Sequence, residues 1–114
     1  SLAPNGMIYG FAGNRYYVFD PVDRKTVFTG ELPGRAKDAP PQAPLLSDAP
    51  AANGLIYGVD NITGNLFSIN PADHKIWILA QDNSLKGAHF AETEPDGYVY
   101  YNDGAHLMRV KVAS

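Results

Sequence analysis

The chain is built on an internal repeat, and the clearest copy lies in its middle. Residues 53–58 read Asn-Gly-Leu-Ile-Tyr-Gly, and residues 5–10 read Asn-Gly-Met-Ile-Tyr-Gly, 48 positions earlier. A third version, Asp-Gly-Tyr-Val-Tyr-Tyr, occupies residues 96–101, 43 positions after the central copy. Self-similarity at a period of about 20 to 50 residues indicates a repeat architecture. The repeat therefore restricts the possible folds more than any single residue does.

Further matches follow each of these copies. Residues 13–21 correspond to 64–71 with one residue dropped, and 104–110 supply a third, shorter version. Residues 20–28 align without gaps on 70–78. The blocks are short and rich in aromatic and β-branched residues, and they are bounded by Asn-Gly, Asp-Pro or Asn-Pro, which favour turns. Proline also cannot donate to a strand ladder. Each block is therefore predicted to be a β-strand.

One complete unit contains four predicted strands. They lie at 44–48, 54–59, 65–70 and 75–80. The first unit shows the last three strands, with the first absent or reduced to residues 1–4. The third unit shows three strands, at 87–92, 97–102 and 106–112. An antiparallel four-stranded meander with this period is typical of a β-propeller blade.

The repeat resembles the broad YVTN, NHL and gluconolactonase-like propeller group. Blades of that group carry a Gly-x-Ile-Tyr strand followed by a Leu-Phe-x-Ile-Asp-Pro strand. The resemblance implies an all-β fold of four-stranded antiparallel meanders, with an incomplete β-propeller in one chain. We expect a single propeller segment over residues 1–114. It divides into a partial blade (1–30), a linker loop (31–43), a full blade (44–80) and a partial blade (87–112).

The number of units has a consequence for partners. The chain carries about two and a half blades, whereas closed propellers have about four to eight. Alone, its terminal sheet faces and strand edges would meet water. We expect the remaining blades to come from a longer chain or from copies of this chain in a homo-oligomer, since oligomers favour closed symmetry. A stable open monomer is the third alternative.

Composition excludes several classes of partner and site. Nine basic and twelve acidic residues are well mixed, and no Lys/Arg run occurs, so neither nucleic acid nor an anionic membrane is an expected partner. No run of 18 apolar residues occurs, so no membrane-spanning helix is predicted. The absence of cysteine excludes thiolate chemistry and fits a cytoplasmic or an exported bacterial protein, of which we favour exported or extracellular.

The meander topology predicts where a ligand would bind. In each unit, the loop between the second and third strands lies at the same end as the connection to the next unit. That end is rich in polar residues, among them Arg15, Asn61 and Lys86. It is the predicted face for a carbohydrate or small polar ligand. The turns at the opposite end look structural, and His74 in one of them is expected to be exposed. The linker 31–43 is either a binding element or an insertion packed on the next blade.

Three residues of the third unit complete the predicted ligand-binding set. His89 lies on the predicted innermost strand, where a histidine can act as a base, a metal ligand or a hydrogen-bond donor. His106 lies near Asp103 in a polar loop, and with His89 they would suit a His/carboxylate metal site. The tyrosines and Trp77 would suit a carbohydrate stacking platform, but Tyr9, Tyr57 and Tyr100 recur at equivalent positions and are therefore expected to pack between blades.

No catalytic motif or dedicated metal motif is present. The predicted function is therefore a non-catalytic ligand-binding or assembly module without a cofactor. The alternative is part of a propeller enzyme, a lyase or lactonase-like hydrolase, with a divalent cation near the channel.

Overall fold

The computed structural model describes residues 1–47, 50–51, 53–88, 90–93, 97–102 and 106–111, with only the backbone of 90–93. Ten strands run in chain order: β1 Ile8–Ala12, β2 Arg15–Asp20, β3 Lys25–Glu31, β4 Leu45–Leu46, β5 Ile56–Asp60, β6 Asn65–Asn70, β7 Lys75–Gln81, β8 Phe90–Thr93, β9 Tyr98–Asn102 and β10 Leu107–Lys111. One 3-10 turn, Asn83–Leu85, precedes β8.

The strands form three antiparallel sheets, so the predicted all-β class is confirmed. The first sheet has the order β1-β2-β3, the second β4-β5-β6-β7 and the third β10-β9-β8. Every hydrogen-bonded pair joins strands that are neighbours in sequence, so each sheet is a meander. The second sheet has the full four strands predicted for a complete unit. The described residues form no closed barrel or closed ring of sheets.

The predicted strand positions agree with these elements to within a few residues. The third strand of the central unit, predicted at 65–70, is β6 with the same bounds. The first strand is shorter than predicted and contains only Leu45 and Leu46. In the first unit its place is taken by residues 1–3. The Ser1 ammonium donates to the Tyr9 carbonyl at 2.7 Å, and Leu2 forms a bridge to Ile8.

The Asn-Gly-x-x-Tyr motif builds the same local structure at residues 5–9 and at residues 53–57. The Oδ1 atom of Asn5 accepts from the Met7 amide, and its Nδ2 donates to Tyr9 Oη at 3.0 Å. Asn53 repeats both contacts, with the Leu55 amide at 3.0 Å and the Tyr57 hydroxyl at 2.8 Å. The glycine after each asparagine has a positive φ angle, which glycine adopts without a steric cost. The motif therefore ties the turn before a strand to the tyrosine within it.

The turns after β2 and β6 are also equivalent. Asp20 and Asn70 each accept a hydrogen bond through Oδ1 from the amide two residues later. Arg24 and His74 occupy the same position in the two turns, and both have positive φ, at 55° and 63°. Non-glycine residues seldom adopt this conformation, so its recurrence supports the gapless alignment of the two segments.

The second sheet lies between the other two, and its central strands β5 and β6 are buried on both faces. Alternate side chains of a strand point to opposite faces. Ile56, Phe67 and Ile69 therefore pack against the first sheet, whereas Tyr57 and Val59 pack against the third. We name these contacts the first interface and the second interface. Apolar burial at both is the main contribution to the stability of the stack.

The interfaces are formed by the same positions in successive units. At the first interface, Tyr9, Phe11, Tyr16 and Val18 of the first sheet face the second sheet. At the second interface, the second sheet supplies Tyr57, the equivalent of Tyr9. Each sheet thus has a tyrosine face, which contains this tyrosine and points toward the following sheet. Its other side, the isoleucine face, contains the residue before that tyrosine, such as Ile56, and points toward the preceding sheet.

The linker between the first two sheets packs on the second sheet. Leu32 and Pro44, near its two ends, are buried, and the Arg35 side chain is also buried. A Cβ atom on Gly34 would lie 2.5 Å from Asn65 Nδ2 and 3.0 Å from Ile78 Cδ1, so this backbone lies directly against β6 and β7. Of the two alternatives for residues 31–43, the structure therefore favours an insertion packed on the neighbouring sheet.

Candidate functional site

Two of the predicted ligand-binding residues, His89 and Asp103, lie outside the described residues. His106 is exposed just before β10, at the edge of the third sheet. The proposed grouping of these three side chains therefore stays a prediction. Among the described residues, no three or more His, Asp or Glu side chains are grouped in a way that could hold a metal ion.

Asn61 and Lys86 lie together at the predicted polar end. The Nδ2 atom of Asn61 donates to the Ala88 carbonyl at 3.2 Å, and the Gly87 amide donates to the Asn61 carbonyl at 3.0 Å. These bonds hold the segment that contains the exposed Lys86 against the loop between β5 and β6. Asn61 Oδ1 is buried and has no hydrogen-bond partner among the described residues. The contacts of Asn61 are structural, and its ligand-binding role stays a prediction.

Arg15 belongs to the first sheet, whereas Asn61 lies in a loop of the second sheet and Lys86 in the connection to the third. Arg15 is exposed at the start of β2, where its backbone pairs with Ala12 on one side and Glu31 on the other. The described residues of the predicted set therefore lie in or next to three different sheets. Hydrogen bonds join Asn61 to the segment that contains Lys86. The sequence placed these residues at one end of a meander but could not place them around one cavity.

A buried ion pair lies at the same polar end. Arg35 of the linker binds the Asp60 carboxylate with two hydrogen bonds, Nε to Oδ2 at 3.0 Å and Nη2 to Oδ1 at 2.9 Å. Their side chains are only 2% and 0% exposed. Burial alone would raise the pKa of Asp60, but hydrogen bonds from Arg35, the Ile62 amide and Thr63 hold it below its ordinary value. Arg35 thereby fastens the linker to the second sheet.

A groove of about 380 Å³ opens between the outer strands of the first and second sheets. It is lined by Tyr16, Phe28, Gly30, Glu31, Pro33, His74, Lys75, Ile76 and Trp77. We name it the β3/β7 groove. Its volume lies within the range of about 300 to 1,000 Å³ that is typical of small-molecule sites.

His74 connects the groove to the first interface. Its Nδ1 atom lies 2.8 Å from Tyr9 Oη, and its ring centroid lies 5.6 Å from the centroids of both Tyr9 and Phe28. The side chain is half-buried, so the expectation that it would be exposed is wrong. The tyrosine of one sheet reaches the turn of the next, and this contact between distant segments has no signal in the local sequence.

The two end faces of the stack carry the same positions that are buried inside it. The isoleucine face of the first sheet presents Ile8, Tyr17 and Phe19, all half-buried. They are equivalent to Ile56, Phe67 and Ile69, which are buried at the first interface. No described residue of a further sheet covers this end of the chain.

The tyrosine face of the third sheet forms the opposite end. Tyr98 and Tyr100 are half-buried, with ring centroids 6.3 Å apart, and the Arg109 guanidinium lies 4.2 Å from the centre of the Tyr98 ring. Leu107 is 71% exposed on the same face. Tyr100 is the equivalent of Tyr9 and Tyr57, which are both buried between sheets. The described part of the chain supplies no sheet beyond this face.

The search for relatives adds no family to this description. Comparisons with protein-family models, with curated proteins and with solved structures each return no match. No helix among the described residues has the length and apolar character needed to cross a membrane. The candidate sites are therefore defined by their own geometry: the β3/β7 groove at the first interface, and two end faces that match the buried faces of the same repeat.

Proposed function

We propose that this chain is a non-catalytic assembly module, a section of a β-propeller that is completed by further sheets of the same repeat. One observation carries the proposal. The outer faces of the first and third sheets present residues at positions that are buried wherever a neighbouring sheet exists. Ile8 and Tyr17 match Ile56 and Phe67 on one side, and Tyr100 matches Tyr57 on the other.

The two faces are complementary rather than alike. Inside the chain, a tyrosine face always meets an isoleucine face, as Tyr9 meets Ile56 at the first interface. The exposed tyrosine face, with Tyr98, Tyr100 and Leu107, is therefore expected to receive an isoleucine face of the same kind. Head-to-tail contacts of this type close into rings when the rotation per sheet allows it.

The further sheets of the proposed propeller have two candidate sources, a second copy of the chain or a continuation of the same chain. Both would supply sheets of the same repeat. Two copies of three sheets each give six sheets, within the about four to eight blades of closed propellers. Measuring the mass in solution by light scattering distinguishes the sources. A discrete multiple of the 12.3 kDa monomer supports closure by copies. Polydisperse association supports end faces that need a continuation of the chain.

Paired variants test which faces meet. Tyr17→Lys changes only the isoleucine face, and Tyr100→Glu changes only the tyrosine face. Each variant alone should therefore fail to assemble and should be a monomer. In a ring made of one copy of each variant, one interface joins two natural faces and the other joins the introduced lysine to the introduced glutamate. A mixture of the two variants should therefore assemble. Val22→Lys, in an exposed turn, is the matched control and should assemble like the natural chain. A monodisperse natural monomer whose solubility neither face variant changes would contradict the proposal.

A further inference from the structure

We propose that the β3/β7 groove is a binding site for a neutral sugar ring. The site is independent of the assembly proposed above, because it lies between the first and second sheets and not on an end face. None of its lining residues belongs to the predicted ligand-binding set. The inference uses four features of the groove: its aromatic wall, the glycine next to that wall, its two rim charges and the imidazole of His74.

The wall of the groove offers uncovered ring surface. Phe28 packs edge-on against Tyr16, with centroids 5.8 Å apart and planes at 61°, and it remains 40% exposed. Its ring also contacts His74, and Ile76 continues the apolar surface on the facing sheet. A sugar ring has a face of C–H groups that packs well on such a surface, whereas a strongly hydrated ion does not.

Glycine keeps the groove open. A Cβ atom at Gly30 would lie 3.6 Å from Phe28 Cε1 and 3.8 Å from Tyr16 Cδ2, which are ordinary contact distances. A side chain at position 30 is therefore compatible with the backbone and would project onto the aromatic wall. The aligned residue in the next unit is Ala80, so a side chain is accepted at this position of the repeat.

The rim charges select the class of ligand. Glu31 lies on the rim from the first sheet and Lys75 from the second, and neither side chain forms an ion pair within the described part of the chain. Opposite charges at one opening give neither an anion nor a cation a net electrostatic gain, because each would meet one like and one opposite charge. A carboxylate and an ammonium group together supply acceptors and donors for hydroxyl groups.

His74 adds a directional polar group. Its Nδ1 atom is engaged by Tyr9 Oη at 2.8 Å, which fixes the ring and leaves Nε2 as the nitrogen available to a ligand. A wall of apolar surface with a few convergent polar groups is the usual form of a small-molecule site. The combination fits a ring with one apolar face and several hydroxyl groups, which is the chemistry of a neutral monosaccharide unit.

The test is a titration of the full chain with methyl glycosides of glucose, galactose and mannose, followed by backbone amide NMR. At least one glycoside should produce saturable shifts at Gly30, Lys75 and Ile76, with affinity in the millimolar range. Gly30→Val should weaken binding about tenfold or more, while Ala80→Val, the matched control, leaves it unchanged. Unfolding curves of both variants verify that they fold.

The rim is tested without altering the wall. Glu31→Gln with Lys75→Gln should weaken binding severalfold, and Tyr16→Phe should not, because the ring remains and the Tyr16 hydroxyl is buried. Free leucine and phenylalanine serve as zwitterionic probes. Saturable binding of these amino acids in place of the glycosides would overturn the assignment. Absence of any saturable shift, or equal binding by Gly30→Val, would also overturn it.

Discussion

The two interfaces of the second sheet differ in how far they extend toward the outer strands. At the first interface, Phe28 of β3 contacts both Tyr16 and the His74 ring. At the second, Trp77 of β7 pairs with Ser68 and so lies on the face toward the third sheet, yet it is 59% exposed. The turn of the second sheet, through His74, therefore adds cover to the outer strand of the first sheet.

The connections across the two interfaces differ as well. The linker to the second sheet is held by the buried Arg35–Asp60 pair. The shorter connection to the third sheet is held by neutral hydrogen bonds, such as the one from Asn61 Nδ2 to the Ala88 carbonyl at 3.2 Å. Mutations at the first interface should therefore change the free energy of unfolding by different amounts from mutations at the second.

The largest effect is expected for Arg35→Ala. This change leaves the Asp60 carboxylate buried and unpaired, and breaking a buried ion pair costs about 3 to 5 kcal/mol. The measurement is the free energy of unfolding in urea. Lys37→Ala removes an exposed cation of the same linker and is the control, with a change within about 0.5 kcal/mol. Equal losses for the two variants would show that the linker is not clamped by Arg35.

The Arg35–Asp60 pair also predicts that stability depends on pH, by an amount no larger than the loss expected for Arg35→Ala. The pKa of Asp60 is lowered in the folded chain, so its contribution to stability is complete above the ordinary value of 3.8. The contribution is lost as the pH falls from there through the lowered folded value. This contribution is measured by urea unfolding of the natural chain and of Asp60→Asn, from pH 7 down to the acidic range below 3.8. Their difference should shrink on acidification, and a constant difference would contradict the assignment.

Gly58→Ala should cost about 1 to 3 kcal/mol, and Gly10→Ala less. A Cβ atom at Gly58 would come within 2.8 Å of the Leu45 carbonyl oxygen and would overlap Phe67, at the first interface. At the equivalent Gly10, on the end face, the obstacle is the Tyr17 side chain, which has space to move. Thermal unfolding of the two variants makes the comparison. A larger loss for Gly10→Ala would mean that the end face is already tightly covered.

Two tyrosines of the first interface should differ in how their replacement by phenylalanine affects stability. Tyr9→Phe removes a hydroxyl that contacts His74, Asn5 and the Pro71 carbonyl, at a cost of about 1 kcal/mol. Tyr16→Phe removes a buried hydroxyl that has no partner among the described residues, so stability should be unchanged or higher. Burial raises the pKa of both phenols, which agrees with neutral hydroxyls at this interface. A comparable loss for Tyr16→Phe would reveal a partner for its hydroxyl.

The smallest effect is expected for Trp77→Ala, within about 0.5 kcal/mol, because the indole is largely exposed. Phe28→Ala should cost more, since it removes the contacts with Tyr16 and His74. Urea unfolding at several protein concentrations compares the two. A large loss for Trp77→Ala that grows with protein concentration would mean that another molecule covers this side chain in the assembled state.

Sequence reasoning located most strands because the signals that define them are local. Residues 65–70 were predicted with the observed bounds, since Gly64 and Pro71 mark both ends of β6. It did not find the β3/β7 groove, because Gly30 and Lys75 belong to different units and become neighbours only when two sheets stack. Nor did it find the partner of Asp60, which comes from 25 positions earlier.

The sequence by itself determined the repeat, the all-β class and the meander order. These follow from turn chemistry and strand periodicity over a few residues, as in the Asn-Gly turns before β1 and β5. Only the tertiary structure decided which side of each sheet is covered, which turn reaches Tyr9 and where Arg35 is buried. Those contacts depend on how one twisted sheet lies on the next, and the spacing of residues along the chain does not encode that geometry locally.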